Sequence, residues 1–376
     1  MNYIIHIFLI SLLLNSLNCT FQAKIFNKMN KEKKGENLII SPLSIFQILS
    51  LTTNGAKGQT QSEMIDVLQS GCIADLNNIN YEIISIFKSF KTIELANAVM
   101  STFTPLESFS LIADKYSAPV QPLLGVDQVN EWCNITTHGK IDKILDELSE
   151  DTRMILLNAI YFKGEWALKF ESFATKKLPF YNLGTEEIEV ETMSQIEYFN
   201  YYEDKKVQAI ELRFKDDMMS AIIILPAKDI DINKYIDTLS ISTDEFSKII
   251  KGLHTENVHI QLPKFELEFN ENLNQVLIDL GMYNAFSPID ADFTGLRKEE
   301  GLFINRVIHK TYLKVFEDGC EAAAVTVIDI TNGALPPGEE KIYDMKVNRP
   351  FLFLLKNNQL PEGYNLIFMS KIEKLE

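Results

Sequence analysis

Nucleophilic and acid–base chemistry has few places to start in this chain. Its 376 residues hold five histidines, His6, His138, His254, His259 and His309, and four cysteines, Cys19, Cys72, Cys133 and Cys320. No HExxH, GxSxG, GxGxxG or phosphate-binding Gly-Lys loop occurs. Gly55-Ala56-Lys57-Gly58 has the glycines and the cation of a phosphate cradle but the wrong spacing. His254 and His259 stand five apart across a loop-to-strand segment with no third ligand nearby, a poor metal geometry, and read as surface residues. Without a CxxC pair, the cysteines have neither zinc nor thioredoxin spacing. The 52 Asp and Glu make many carboxylate pairs, and nothing in the sequence selects one. No catalytic residue, metal or cofactor is expected, and the chain does not read as an enzyme.

One segment stands apart. Glu317 to Thr331 reads Glu-Asp-Gly-Cys-Glu-Ala-Ala-Ala-Val-Thr-Val-Ile-Asp-Ile-Thr, and Asn332 to Glu340 follows with the composition of a loop. In a strand, alternate side chains face opposite sides. One set is Cys320, Ala322, Ala324, Thr326, Ile328 and Ile330, with no charge and small residues first. The other is Glu321, Ala323, Val325, Val327, Asp329 and Thr331, which carries both charges. One face can therefore enter a core while the other stays near solvent. An ordinary amphipathic edge strand fits this pattern equally well.

The rest of the chain supplies the scaffold. Apolar residues make up 46%, enough for a real core, and charged residues 23%. Apolar spacing of three to four marks helices at Ser62 to Leu68 and Val129 to Leu148. Met154 to Phe162 is a nearly continuous apolar run, as in a strand buried on both faces. Ala221 to Leu225, the alternating His259 to Phe269, Phe351 to Leu355 and Leu366 to Met369 read as further strands. Helices and strands mix without βαβ alternation, which predicts an α+β fold. The net charge of −16 argues against nucleic acid or an anionic membrane as partner. The basic run Lys28 to Lys34 also holds Glu32 and reads as a solvated helix-end turn.

Ile4 to Leu14 is an apolar run too short for a membrane span but suited to a signal peptide, with cleavage after Cys19. Residues 1–19 are read as that signal, giving a secreted, extracellular protein; an intracellular or membrane-associated chain is the alternative. Asn134-Ile135-Thr136 is a glycosylation sequon, usable only after export.

Six motifs in order resemble the serpin family. Asn37-Leu-Ile-Ile-Ser41-Pro42-Leu43-Ser44-Ile45 is similar to the start of the serpin second helix. Leu157-Asn158-Ala159-Ile160-Tyr161-Phe162-Lys163-Gly164-Glu165-Trp166 resembles the family's central strand and the tryptophan after it. Ala291-Asp292-Phe293-Thr294-Gly295 and Val307-Ile308-His309-Lys310 resemble later signatures. Glu317-Asp318-Gly319-Cys320-Glu321-Ala322-Ala323-Ala324 resembles the hinge of the bait loop, and Asn348-Arg349-Pro350-Phe351-Leu352-Phe353 the strand after it. The likeness runs from about Thr20, where it places the first helix, to the C-terminus. It implies one serpin domain over residues 20–376: mostly antiparallel β-sheets surrounded by helices, with an exposed reactive-centre loop at about 317–345.

The resemblance implies a metastable inhibitor of serine or cysteine proteases. The target forms an acyl-enzyme at the loop. The loop then inserts into the central sheet and traps it as a covalent complex. A non-inhibitory serpin acting as carrier, chaperone or storage protein is the alternative. The hinge maps to Glu317, Gly319, Cys320 and Glu321 to Ala324. Cys320 stands where the family has Thr or Ser, and its oxidation is expected to slow insertion. Ser41, Ser44, Asn158 and His309 match the polar cluster beneath the opening sheet, called the shutter, and Trp166 the point where insertion begins. Arg349 and Ser370 depart from the family's usual His and Gly. Family spacing puts the cut at Gly333, with Asn332 and Ala334 also candidates and Lys341 the runner-up. Small residues there suit an elastase-like enzyme, Asn332 an asparagine-directed one and Lys341 a trypsin-like one. The partner is thus a protease, the chain a monomer, and the acidity argues against heparin.

Overall fold

The computed structural model describes residues 20–88, 93–140, 142–150, 152–241, 243–320 and 341–376. In chain order its helices are α1 (Phe21–Glu32), α2 (Pro42–Thr53), α3 (Gly58–Val67), α4 (Ile73–Lys88), α5 (Glu107–Lys115), α6 (Val126–Thr136), α7 (Ile232–Ile241), α8 (Thr243–Gly252) and α9 (Asn274–Asp279). The strands are β1 (Leu38–Ile40), β2 (Ile93–Ser101), β3 (Val120–Pro122), β4 (Met154–Phe162), β5 (Gly164–Glu165), β6 (Lys176–Asn182), β7 (Glu186–Glu203), β8 (Val207–Arg213), β9 (Met219–Pro226), β10 (His254–Pro263), β11 (Phe265–Asn272), β12 (Val307–Phe316), β13 (Gly319–Cys320), β14 (Tyr343–Lys346), β15 (Phe351–Asn357) and β16 (Leu366–Ile372).

Two sheets carry the fold. One runs β1-β16-β15-β9-β8-β7-β10-β14, with β6 also on β7; the other runs β3-β2-β4-β12-β13-β5, with β11 also on β12. Among the described residues all pairs are antiparallel except β10 with β14, β4 with β12, and β2 with β3. The expected α+β architecture, mostly antiparallel sheets with helices around them, is the one found.

The run Met154 to Phe162 forms β4 over those same residues. Its alternation explains the unbroken apolar sequence. Met154 and Leu156 pack into the main core with Val99 and Val307, whereas Ile155 and Leu157 pack under Val129 and Cys133 of α6. A strand covered on both faces has no polar side to show. Likewise β9 and β16 are buried throughout, which is why both read as apolar runs.

Two sequence readings are corrected. The helix expected over Val129 to Leu148 spans Val126–Thr136 only. His138 and Gly139 take left-handed backbone angles, φ 53° and 78°, and the Gly139 N–H returns to the Asn134 carbonyl at 2.8 Å. This closes the last turn and ends the helix. The strand expected over His259 to Phe269 is two strands in different sheets, β10 ending at Pro263 and β11 starting at Phe265. Proline has no N–H to continue a ladder, and the chain crosses between sheets there. The basic run at the end of α1 is exposed at Lys34 and otherwise ion-paired: Lys28 pairs with Asp279 and Glu32, Lys31 with Asp237, and Lys33 with Glu271.

Candidate functional site

The site is built where the sheet of β4 and β12 divides. These strands pair directly and in parallel from Leu156 opposite Val307 to Ile160 opposite Thr311. Farther along, the partner of β12 on that edge is β13, with Cys320 opposite Val315 and Gly319 opposite Phe316. On its other side β13 pairs with β5 through Gly319–Glu165 and Cys320–Gly164. The chain therefore leaves β12, reverses at Glu317-Asp318, and re-enters the sheet antiparallel to β12. Since β4 is parallel to β12, β13 points along the seam between two strands to which any continuation would be antiparallel.

Gly319 is required for this reversal. Its φ is 151°, and a Cβ there would stand 2.0 Å from the Gly164 carbonyl oxygen. No side chain fits so close to backbone. Gly164 is equally constrained, since a Cβ would meet the rings of Phe162 and Phe214 at 2.7 Å.

Trp166 holds the reversal in place. Its backbone N–H donates to the Asp318 carbonyl at 2.9 Å and its indole Nε1–H to the Phe316 carbonyl at 3.0 Å. Its ring stacks on Phe214 with centroids 4.5 Å apart. The Phe170 N–H donates to the Glu317 carbonyl at 3.0 Å. Lys169 reaches the Asp318 carboxylate at 3.0 Å. Glu317, whose partner the sequence did not reveal, accepts from the Thr175 hydroxyl at 2.8 Å and pairs with Lys264 at 3.3 Å. Burial alone would raise the Glu317 carboxyl; the Thr175 hydroxyl, a backbone N–H and Lys264 outweigh it and hold it below the ordinary range.

Cys320 is fully buried, in the same core cluster as Trp166, Phe214, Leu313 and Val315. Burial pushes its thiol well above the ordinary value. The thiolate is the reactive form, so burial of this kind makes oxidation of Cys320 slow in the intact chain; the expectation that an oxidised Cys320 slows insertion concerns a later step.

Below the seam lies the polar cluster. Ser41 caps α2 by accepting from the Ser44 N–H at 3.4 Å, and the Ser41 N–H donates to His309 Nε2 at 3.0 Å. Ser41, Ser44 and His309 are all buried, as is Thr311, whose hydroxyl donates to the Ile39 carbonyl at 2.9 Å. Asn158 stands opposite His309 in the ladder; only its backbone is described. Because Nε2 accepts, the imidazole is neutral, and burial lowers its pKa to about 3. The unfolded value is about 6.5. The unfolded chain thus binds the extra proton first as the pH falls. The contribution of His309 is fully present above about pH 6.5 and is lost toward pH 3. His309→Gln removes this titration. The gap in melting temperature between wild type and the variant is expected to narrow from pH 7.5 to pH 4.5, and a constant gap counts against the coupling.

Of the other sequence-level candidates, Glu321 to Ala324 and Asn332 to Ala334 lie outside the described residues, as do residues 1–19. Lys341 is exposed, with its ammonium 3.8 Å from the centre of the Tyr343 ring. Asn134 sits partly exposed near the end of α6. Among the described residues no group of three or more His, Cys, Asp or Glu is placed to hold a metal. No helix among them is long and apolar enough to cross a membrane.

A parting sheet with a strand re-entering it defines a class. The family described as Serpin (serine protease inhibitor) matches residues 16–374, and the chain belongs to it. Leukocyte elastase inhibitor of Xenopus laevis is 33% identical over 361 residues, covering 90% of this chain and 94% of the relative. Intracellular coagulation inhibitor 2 of Tachypleus tridentatus is 32% identical over 362 residues, covering 91% and 86%. Among solved structures, the thermophilic serpin Tengpin in its native state superposes with a TM-score of 0.85 at 30% identity, covering 95% of this chain and 93% of that one. Serpin48 of Tenebrio molitor gives 0.81 at 27% identity, covering 95% and 96%.

Proposed function

We propose that this serpin is a suicide-substrate inhibitor of serine or cysteine proteases. A target attacks the bait region Asn332 to Ala334 and becomes acylated. Residues 320–331 then enter the sheet between β4 and β12 and drag the enzyme with them. The chain contributes no catalytic group; moving the protease's catalytic atoms by about 1 Å is enough to stall deacylation.

The observation that carries this reading is the direction and depth of β13. It already lies between β12 and β5, with Cys320 buried in the core. Continued as a strand, the even set from Ala322 to Ile330 shares the face of Cys320 and meets the core, and Glu321 and Asp329 point away. Twelve residues span about 40 Å as a strand, comparable to β12. The seam is overlaid by α6 through Val129 and Cys133, which pack on Ile155, Leu157 and Ile308, so insertion must pass beneath that helix.

The test is incubation with a panel of elastase-like, asparagine-directed and trypsin-like proteases, followed by a denaturing gel. A high-mass band that survives boiling is expected with the elastase-like enzyme, in keeping with the small residues around Gly333 and with the name of the Xenopus relative. Mass spectrometry of the released peptide then identifies the cut bond, Lys341 being the alternative. Clean cleavage with every enzyme and no complex would leave a non-inhibitory serpin.

A carrier role is the second reading, favoured by an apolar cavity of about 400 Å3 bounded by α1, α7, α8, β15 and β16. Phe26, Ile236, Phe246, Ile250, Leu354 and Met369 line it. Binding of an environment-sensitive apolar dye, lost on substitution Leu354→Lys, tests it separately.

Residues 1–19 are proposed as an export leader preceding one serpin domain, with the product secreted as a monomer beginning at Thr20 and open to glycosylation at Asn134. N-terminal sequencing of protein from culture medium tests this. An intact N-terminus on a chain kept inside cells favours the intracellular alternative, in line with the name of the Tachypleus relative.

A further inference from the structure

We propose that Ser194, His259 and Asp344 form an activated-serine site on the outer face of the first sheet, at which Ser194 is acylated by small activated esters. Three strands supply it. In the antiparallel pair β7–β10, His259 stands opposite Ile196, which puts Ser194 on the diagonal of the same face. In the parallel pair β10–β14, His259 stands opposite Asp344. The side chains complete what the register allows. The Ser194 hydroxyl lies 3.0 Å from His259 Nε2, and Asp344 Oδ1 lies 3.1 Å from His259 Nδ1.

A carboxylate is acceptor-only, so Nδ1 carries the proton toward Asp344 and the Nε2 lone pair faces the serine hydroxyl. That is a nucleophile, a base and a group that orients the base, a constellation recognised by geometry rather than by sequence order. Asp344 is itself held: Lys346 meets its other oxygen at 2.8 Å, and the Gln208 side chain donates to its backbone carbonyl at 3.1 Å. The face is open to solvent. The His259 and Asp344 side chains are 29% and 48% exposed, and the neighbouring Ile196 is an exposed apolar contact. This exposure leaves the site reachable by small activated esters, the acyl donors used in the test below.

The reaction balances within these groups. Ser194 Oγ bonds the ester carbonyl carbon as His259 Nε2 takes the hydroxyl proton. The bond to the leaving aryl oxide breaks, and that oxide takes the proton from His259. Acyl-Ser194 and a phenol result. His259 acts on the reacting atoms; Asp344 is a positioning residue. The described contacts supply a base and its orienting carboxylate but not a pair of oxyanion donors, so a single acylation is expected rather than turnover.

The experiment uses the full chain with 4-nitrophenyl acetate, followed by intact mass and peptide mapping. One acetyl group on Ser194 is expected, forming about 100-fold faster than in His259→Ala. Asp344→Asn is expected to be slow, with part of the rate recovered in Asp344→Glu. Urea-unfolded wild type should show no preference for Ser194, a control that does not depend on any variant folding. Acetylation confined to lysines overturns the proposal. So does an unchanged rate in His259→Ala or Asp344→Asn, or equal labelling of Ser194 in folded and unfolded chain.

Discussion

A chain nicked in the bait region is expected to melt on the order of 20 °C above the intact one. The size follows from where the freed strand would go. Residues 320–331 would lie between β4 and β12, antiparallel to both, and a central strand pairs along both edges at once. At a net of about 1 kcal/mol per hydrogen bond, a dozen residues contribute on the order of 10 kcal/mol. At about 2 °C per kcal/mol, that gives the expected rise. The intact chain cannot take this step fully, because the loop is tied at Lys341 and beyond to β14, which sits on the other sheet. The measurement is a pair of calorimetric scans, before and after limited proteolysis with the fragments still associated. Coincident melting temperatures would remove the inserting strand from the account.

The second large effect is expected from Cys320→Arg. The side chain is fully buried among Trp166, Phe214 and Leu313, with β12 on one side and β5 on the other. An arginine there must either bury an unpaired charge or pull β13 out of the sheet. An uncompensated buried charge costs roughly 3–5 kcal/mol. If about 3 kcal/mol of this enters the barrier to insertion, insertion slows more than about 100-fold. Deacylation then wins. The protease should leave active, the loop should be cleaved, and the covalent band should disappear. Cys320→Ser keeps a small side chain and is expected to retain the complex. Full complex formation by the arginine variant would show that the hinge does not need this face in the core.

Periodicity and composition determined much of this protein without coordinates. Alternation over 320–331 separates an uncharged face from one carrying Glu321 and Asp329, and β13 puts Cys320 of the first set in the core. The apolar runs within β4, β9, β15 and β16 are legible because burial leaves few polar residues to break them. Ser41 and His309, placed in the shutter by resemblance, do meet. Helix and strand limits were less legible: the turn at His138-Gly139 and the crossing at Pro263-Lys264 interrupt patterns whose apolar spacing runs on.

Partnerships across the sheets were decided only by tertiary structure. Trp166 reaches a carbonyl 150 residues away, at the end of β12. Lys264 reaches Glu317, and Ser194 meets a histidine 65 residues on. The physical reason is register. A residue's face is set by its immediate neighbours through the two-residue repeat of a strand. Which residue it faces depends on how strands distant in sequence align, and sliding a strand by one residue replaces every partner. His259 therefore read as a surface residue in sequence, and only the alignment of β7, β10 and β14 gives it a serine on one nitrogen and a carboxylate on the other.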